Sequence, residues 1–514
     1  MIEDLEEHPG EKKVSADVLV VGAGTVGLPV SVMLAKHRSL RVVCVESGGH
    51  HQNSDTHPLN EVIHRGGEYK GASEGRFRCF GGTSTRWGGA LIPFQHADLN
   101  HGDWPISAEE LEPYISPVEG LFGLESGPYC DTEFPFSLGQ CHVNRLAKWP
   151  VFKNRNVVSL VGRQARQANN LTVWVNATVT EMEVPSTIGR VRFLARSPSG
   201  HRLQISASRV LIAAGAIETT RLALLLDRYL GGKVSALSPS LGRYFSDHVS
   251  IAVAEVEPLR RAALNKLVGW RFGRGGSMRN IRFELAPDSP ARANLLPSFA
   301  HLSPVDARGG GWASLRELYR CAQRKRVPPV SAFASAAANL PWIGRAAWWR
   351  CVNKRLLFAE HAAIKAVIVQ EQVLDPENRI VLSTERCDRH GVPLAEITWR
   401  PTDKDIDNVI RSGKLFAETW QSTAFASYGV WKGYSDGEIR RGVVESGGVF
   451  HPTGSTRLGR DAASGVVDRD LRMFACPQIQ LISTSVLPTG GGANPTMMAI
   501  MLGVRCVNQI VKAG

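Results

Sequence analysis

At 514 residues the chain is long enough for a large core and two domains, and 43% hydrophobic residues with 50 glycines fit a soluble α/β protein with many turns. No run of about 18 uncharged apolar residues is present, which excludes a membrane-spanning helix. The net charge of +12 is carried unevenly, and nine scattered cysteines without a CxxC pair argue for reduced thiols and against a zinc or disulfide framework.

The N-terminus, MIEDLEEHPGEKK, is acidic and polar, without an apolar secretory core or twin arginine. It is expected to be a short disordered leader on a cytoplasmic protein. The first organised stretch is Ala16–Gly49. Small and β-branched residues over Val18–Val21 predict a buried parallel strand. That strand runs into Gly22-x-Gly24-x-x-Gly27. An apolar helix to about Lys36 follows, and a second apolar run, Val42–Val45, ends in Glu46 and Ser47.

Strand, glycine turn, helix, strand and acid in that order form the fingerprint of an adenine-dinucleotide site, FAD or NAD. The first glycine makes the tight turn, the second lets backbone approach a pyrophosphate, and the third lets helix pack on strand. The free N–H groups and positive dipole end of the helix then face the phosphates, with Thr25 and Val26 at the turn and Glu46 placed to hold a ribose hydroxyl. In the polar loop that follows, His50, His51 and His57 read as solvent-exposed histidines, and no metal is expected.

Gly81-Gly82-Thr83-Ser84-Thr85-Arg86-Trp87-Gly88-Gly89 interleaves glycines with hydroxyls. Such a loop can lay backbone N–H groups against an anion or a flat polar ring, a second cofactor contact through Gly81, Gly82, Thr83, Ser84, Trp87, Gly88 and Gly89. Thr172–Glu183 alternates like one strand and includes the candidate contact Val179. Arg202–Leu226 predicts a strand ending at Ala213-Ala214-Gly215 and then a helix, a second turn of small residues where a sheet strand meets the same ligand.

Extended segments over Val249–Val256, Ser277–Leu285, Lys365–Val373, Arg379–Ser383 and Leu394–Trp399 suggest an antiparallel sheet, and Asp403–Ala424 a helix. The sheet is interrupted between Arg308 and Arg355. There ten basic residues (Arg308, Arg316, Arg320, Arg324, Lys325, Arg326, Arg345, Arg350, Lys354, Arg355) accompany one acid, Glu317, and the tryptophans 312, 342, 348 and 349. This stretch is expected to be a solvated helical insertion with its tryptophans packed inward. The rival reading is a weak contact with an anionic membrane surface or an acidic partner. No nucleic-acid module is visible, so that partner is not expected. Residues 249–448 are expected to form a substrate-binding domain inserted between the two parts, 1–248 and 449–514, of a nucleotide-binding domain.

Near the C-terminus, Phe450-His451-Pro452-Thr453-Gly454 sets a histidine beside a glycine loop. An apolar strand, Ile479–Ile482, leads to Ser483-Thr484-Ser485-Val486-Leu487-Pro488. Gly490-Gly491-Gly492-Ala493-Asn494-Pro495-Thr496 then opens a final apolar helix, Met497–Val511. Asn494 precedes a proline suited to a first helical turn, so it reads either as an N-cap or as an amide aimed at a substrate oxygen. His451 reads either as a satisfied core histidine or as a base.

Taken together, these motifs resemble the glucose–methanol–choline (GMC) flavoprotein oxidoreductases over nearly the whole chain. The N-terminal unit is similar to the family's FAD-binding start, GGTSTRWGG to its flavin loop, AAGAIETTRL to its second FAD signature, and HPTGSTRLG…VVDRDLRMF…SVLP…NPT to its catalytic end. GGTSTRWGG with GGANPTMMA is closer to the pyranose oxidase and sugar dehydrogenase branch.

The resemblance implies a Rossmann-like FAD-binding domain with an inserted α+β substrate domain, and FAD contacts that add Thr484, Asn494, Pro495 and Thr496. Arg86 occupies the position at which several enzymes of that branch attach FAD through a histidine, so non-covalent FAD is expected. Ser483 replaces the aspartate usual in the family's Asp-x-Ser-x-x-Pro stretch. By resemblance, His451 takes the hydroxyl proton of a sugar, glycoside or cyclitol, carbon delivers hydride to flavin N5, and Asn494 holds the same oxygen. Oxygen or another acceptor would reoxidise the flavin. The alternatives are a lyase that uses FAD only structurally and an oxidase or dehydrogenase of non-sugar alcohols.

Overall fold

The computed structural model describes residues 1–513 apart from 53–55, 186–188, 306–309 and 324–325. Arg308, Arg324 and Lys325 of the basic stretch, and the Trp312 side chain, therefore lie outside the described residues.

Among the described residues the strands form three sheets. The largest runs Ile2–Asp4, Leu171–Val175, Val42–Val45, Glu11–Val21, Arg202–Ile212, Cys476–Leu481 and Arg472–Met473 in space. All are parallel except the last short strand. Strands covered on both faces are apolar throughout, as Val18–Val21 and Val42–Val45 are. The helix Gly27–Ala35 fills the first crossover and packs against Val157–Gln167 and Thr496–Ala513.

Two expectations are corrected. The N-terminal residues are an edge strand and not a disordered leader. Ile2–Asp4 pairs with Val173–Val175, Leu5 is fully buried, and the Met1 amino group donates to the Leu171 carbonyl at 2.7 Å. The alternation over Thr172–Glu183 belongs to two strands, because Asn176 adopts a left-handed φ of 53°. Leu171–Val175 joins the parallel sheet, whereas Thr178–Glu183 forms an antiparallel hairpin with Val191–Arg196.

The second sheet is antiparallel: Arg271–Phe272, Met278–Leu285, Ser298–Val305, Ala363–Glu371, His248–Pro258 and Gly429–Gly433, with His142–Trp149 added along Met278–Leu285. The helix Asp403–Ser422 starts at a capping box between Thr402 and Asp405 and buries Ile406, Val409, Phe416 and Trp420 against this sheet. A third sheet pairs Arg379–Cys387 with Pro393–Trp399, and Pro393–Trp399 with Val62–Gly66 in parallel.

A buried ionic cluster ties this small sheet to the part built on the parallel sheet. Glu218 accepts from Arg78 Nη2 at 2.6 Å and from Arg221 Nη1 at 3.2 Å, and Arg221 also reaches Asp388 at 2.8 Å. Burial works to raise the Glu218 carboxyl, but Arg78, Arg221 and Arg76 overcome it and leave it at about 2. A carboxyl lowered in the folded state stabilises fully above its unfolded value of 4.5, and that contribution is lost as pH falls towards about 2. Glu218→Gln strands buried guanidinium charge and is expected to cost about 3 kcal/mol at neutral pH. Chemical denaturation should show this loss shrinking below pH 4.5, the unfolded value. An equal loss at both pH values would rule the ion pairs out as its cause.

Candidate active site

One cleft runs from the first glycine turn to the C-terminal histidine. Gly22, Gly24, Thr25, Val26, Glu46, Ser47, Gly82, Thr83, Trp87, Val179, Ala214, Gly215, Thr484, Pro495 and Thr496 line it, as does His451. Gly22 turns at φ 104°, and a Cβ there would meet the Ala213 carbonyl oxygen at 2.6 Å. A Cβ on Gly82 would lie 2.8 Å from the Gly24 Cα, so the two glycine loops close on one another across this wall. Val26, ahead of the helix Gly27–Ala35, makes no side-chain cap, which leaves the helix N-terminus to the cleft.

Six of the expected contacts are not among the lining residues: Asn494, described below, and five that stand behind the wall. Gly27 is a packing position, since a Cβ there would sit 1.9 Å from the Gly22 carbonyl oxygen. Gly81 turns at φ 98° against Val158, Gly88 abuts Trp149, and Gly89 turns at φ 91° against Arg155. Ser84 is buried, donates to the Gly81 carbonyl at 2.6 Å and accepts from the Val157 amide at 3.1 Å. Glu46 does face the cleft, but its two oxygens already accept from the amides of Ala23 and Gly48, each at 2.9 Å. Burial raises its carboxyl.

Sequence reading missed Asn60, Arg76, Arg78 and Glu218 on the same wall. Arg78 donates to Ser47 Oγ at 2.9 Å and to Asn60 Oδ1 at 2.7 Å. The alternation of Arg76-Phe77-Arg78 just before the glycine loop was the available signal.

Asn494 is held by two side chains. Arg282 Nη2 donates to its Oδ1 at 2.8 Å, and its Nδ2 stands 3.0 Å from His451 Nε2. These bonds turn the amide away from capping its own helix. A guanidinium can only donate, so it fixes Oδ1 on its own side and points the amide N–H at His451. Nε2 of His451 is therefore the acceptor, and the ring proton sits on Nδ1. Burial, followed by the neighbouring His248 and Arg282, holds the imidazole well below its ordinary 6.5, so it is neutral. This state is a base with its lone pair directed at a fixed amide donor.

The backbone beneath His451 is also fixed. Phe450 is left-handed at φ 68°, a costly conformation for a bulky residue. The Asp247 carboxylate sustains it by accepting from the amides of Val449, Phe450 and His451 at 3.1, 2.9 and 2.9 Å, and from the Tyr69 hydroxyl at 2.8 Å. Asp247, His248 and His451 lie close enough to suggest a metal site. Asp247 is engaged by the amides, His248 Nε2 donates to the Gly491 carbonyl at 2.8 Å and His451 Nε2 meets Asn494, while Nδ1 of each histidine is buried without a hydrogen-bond partner.

Arg282 escaped the sequence reading because it sits at a polar position of an alternating strand. Ile281, Phe283 and Leu285 of that strand are buried, but so are Arg282 and Glu284, which meet Asn494 and the pair Gln95 and Arg145 respectively. Arg282→Met removes a cation that depresses His451. The acid limb of kcat/KM is expected to move to higher pH, and kcat to fall roughly tenfold or more as the amide loses its anchor. A limb that stays in place would mean that Arg282 does not tune the base.

Comparison with known proteins bears on the fold and on the C-terminal part of the chain. Residues 375–503 match the family model for GMC oxidoreductase. The chain is 22% identical to 2-methyl-1,2-propanediol dehydrogenase of Mycolicibacterium austroafricanum over 96% of this chain and 95% of the relative. It is 22% identical to the fructose dehydrogenase large subunit of Gluconobacter japonicus over 97% and 98% respectively. Among solved structures, pyridoxine 4-oxidase from Mesorbium loti superimposes with a TM-score of 0.61 at 14% identity, covering 96% of this chain and 99% of that one. The fold, the match over residues 375–503 and the full-length relatives together make this chain similar to the GMC oxidoreductases.

Proposed function

We propose that the protein oxidises a CH–OH group of a sugar, glycoside or cyclitol to the carbonyl, using FAD held in the cleft without a covalent link. The observation that carries this reading is the pair His451–Asn494, with Nε2 as a neutral acceptor and the amide orientation set by Arg282. Bound FAD supplies the hydride acceptor. The bare glycine turns, the uncapped helix N-terminus and the cleft that extends from them to His451 suit that dinucleotide.

The chain's own residues handle the proton. An alcohol's pKa lies far above neutrality, so the hydroxyl needs a base as its carbon loses hydride. A hydroxyl entering between the two side chains donates to His451 Nε2 and accepts from Asn494 Nδ2. As the proton moves to Nε2, the amide N–H stabilises the charge developing on oxygen. The sugar preference rests on the resemblance of GGTSTRWGG and GGANPTMMA to one branch of the family, and on a fructose dehydrogenase subunit among the relatives.

Anaerobic mixing with a panel of sugars, glycosides, cyclitols and simple alcohols tests it. Bleaching of the flavin absorbance by a sugar-class compound is expected. Bleaching by simple alcohols alone would overturn the substrate class, and turnover without bleaching would indicate a lyase. Admitting air then separates oxidase from dehydrogenase by the speed at which colour returns.

Non-covalent attachment has its own test. Arg86 has no nucleophile to offer and donates to the Gln52 carbonyl at 2.6 Å. Acid precipitation is expected to leave the FAD in the supernatant, whereas a yellow pellet would contradict this.

A further inference from the structure

Between Ser298–Val305 and Ala363–Glu371, whose ends meet at Val305 and Ala363, the chain leaves the antiparallel sheet for three helices: Gly311–Gln323, Val330–Ala338 and Leu340–Asn353. The first is moored to the body, with Arg155 Nη1 donating to the Tyr319 hydroxyl at 2.7 Å and Phe152 against the Tyr319 ring. Arg345 pairs with Glu360, and Arg350 lies over the Phe272 ring at 4.2 Å.

The outer side is apolar and open to solvent. Val327 is 91% exposed, Phe333 54%, Leu340 61% and Trp348 62%. Leu340, Gly344, Trp348 and Val352 follow one another at four-residue steps, so they share a single exposed stripe of the last helix. Trp348 thus departs from the inward packing expected of it, while Trp342 and Trp349 are half-buried.

Charge decides what this surface suits. From Leu318 to Ala359 the sequence has no acidic residue, and the exposed Arg326, Arg345, Arg350 and Lys354 flank the apolar residues. Exposed aromatic and aliphatic side chains flanked mainly by cations, with Glu360 paired to Arg345 and Glu317 on the first helix as nearby acids, match a lipid–water interface, where rings enter the headgroup layer and cations meet phosphates. No helix among the described residues is long and apolar enough to cross a membrane. We propose that this insertion seats the enzyme on an anionic phospholipid surface, lying on the bilayer without spanning it.

Co-sedimentation of the flavin-loaded protein with vesicles tests this at about 0.1 M salt, where surface charges act over about 10 Å. The holoenzyme is expected to pellet with equimolar phosphatidylcholine–phosphatidylglycerol vesicles and to stay in solution with phosphatidylcholine alone. The triple variant Phe333→Ser, Leu340→Ser, Trp348→Ser should lose at least ~10-fold in bound fraction while keeping its flavin spectrum and melting temperature. If that variant fails to fold, Trp348→Ser alone should lower binding several-fold. Failure of the unaltered holoenzyme to bind phosphatidylglycerol vesicles overturns the proposal, as does undiminished binding by the folded variants. A dimer in light scattering that the substitutions split would overturn it in favour of an interface between copies.

Discussion

His451→Ala is expected to leave the protein folded and yellow, and to slow anaerobic flavin reduction by at least ~10²-fold, the usual size of a lost general base. The fold survives because Asp247 grips this segment through the backbone amides of residues 449–451, which alanine retains. The cofactor survives because the glycine turns and the loop at Gly82 are untouched. What disappears is the acceptor at Nε2, leaving Asn494 to meet the substrate hydroxyl alone. Stopped-flow reduction at saturating substrate isolates the step from oxygen chemistry. A near-normal rate would show that another group takes the proton.

Two substitutions in the same motif should fail in different ways. A Cβ on Gly24 finds nothing nearer than the Gly82 Cα at 3.8 Å, so a leucine there fits the protein but projects into the cleft. Gly24→Leu is expected to purify folded and colourless. A Cβ on Gly27 would stand 1.9 Å from the Gly22 carbonyl oxygen, with no flexible side chain to yield. Gly27→Val must separate helix from turn, and it should cost solubility as well as colour. Flavin-to-protein ratio and thermal melting distinguish the two outcomes. Full flavin occupancy in Gly24→Leu would remove the first glycine turn from the cofactor site.

The parts legible in the sequence are those whose chemistry is local. Gly22 to Glu46 needs only one strand–helix–strand unit, and Asn494-Pro495 announces a helix start next to a glycine run. The extended segments of the middle block likewise appear as strands. Arg282 was not legible, because its meeting with Asn494 spans 212 residues and depends on which face of Met278–Leu285 is covered. Asp247 was in plain view in the sequence, but its role exists only once Phe450 turns left-handed above it. Gly27 packs helix on strand as its place in the motif implies, whereas Gly81, Ser84, Gly88 and Gly89 show the opposite error. The motif named them, and they shape the wall from behind through packing and short hydrogen bonds.

The strand Val62–Gly66 bears on how this molecule comes together. It belongs to the excursion between Ser47 and Arg76, yet it is stitched to Pro393–Trp399 over five register positions. On the opposite flank His142–Trp149 is sewn to Met278–Leu285 over eight. A jaw hinged between the two halves would have to rip both seams, so breathing large enough to admit a dinucleotide amounts to partial unfolding. With FAD in the cleft as proposed, loading it and completing the chain's assembly are expected to be a single event, and removal from the finished enzyme to call for denaturant, not dialysis.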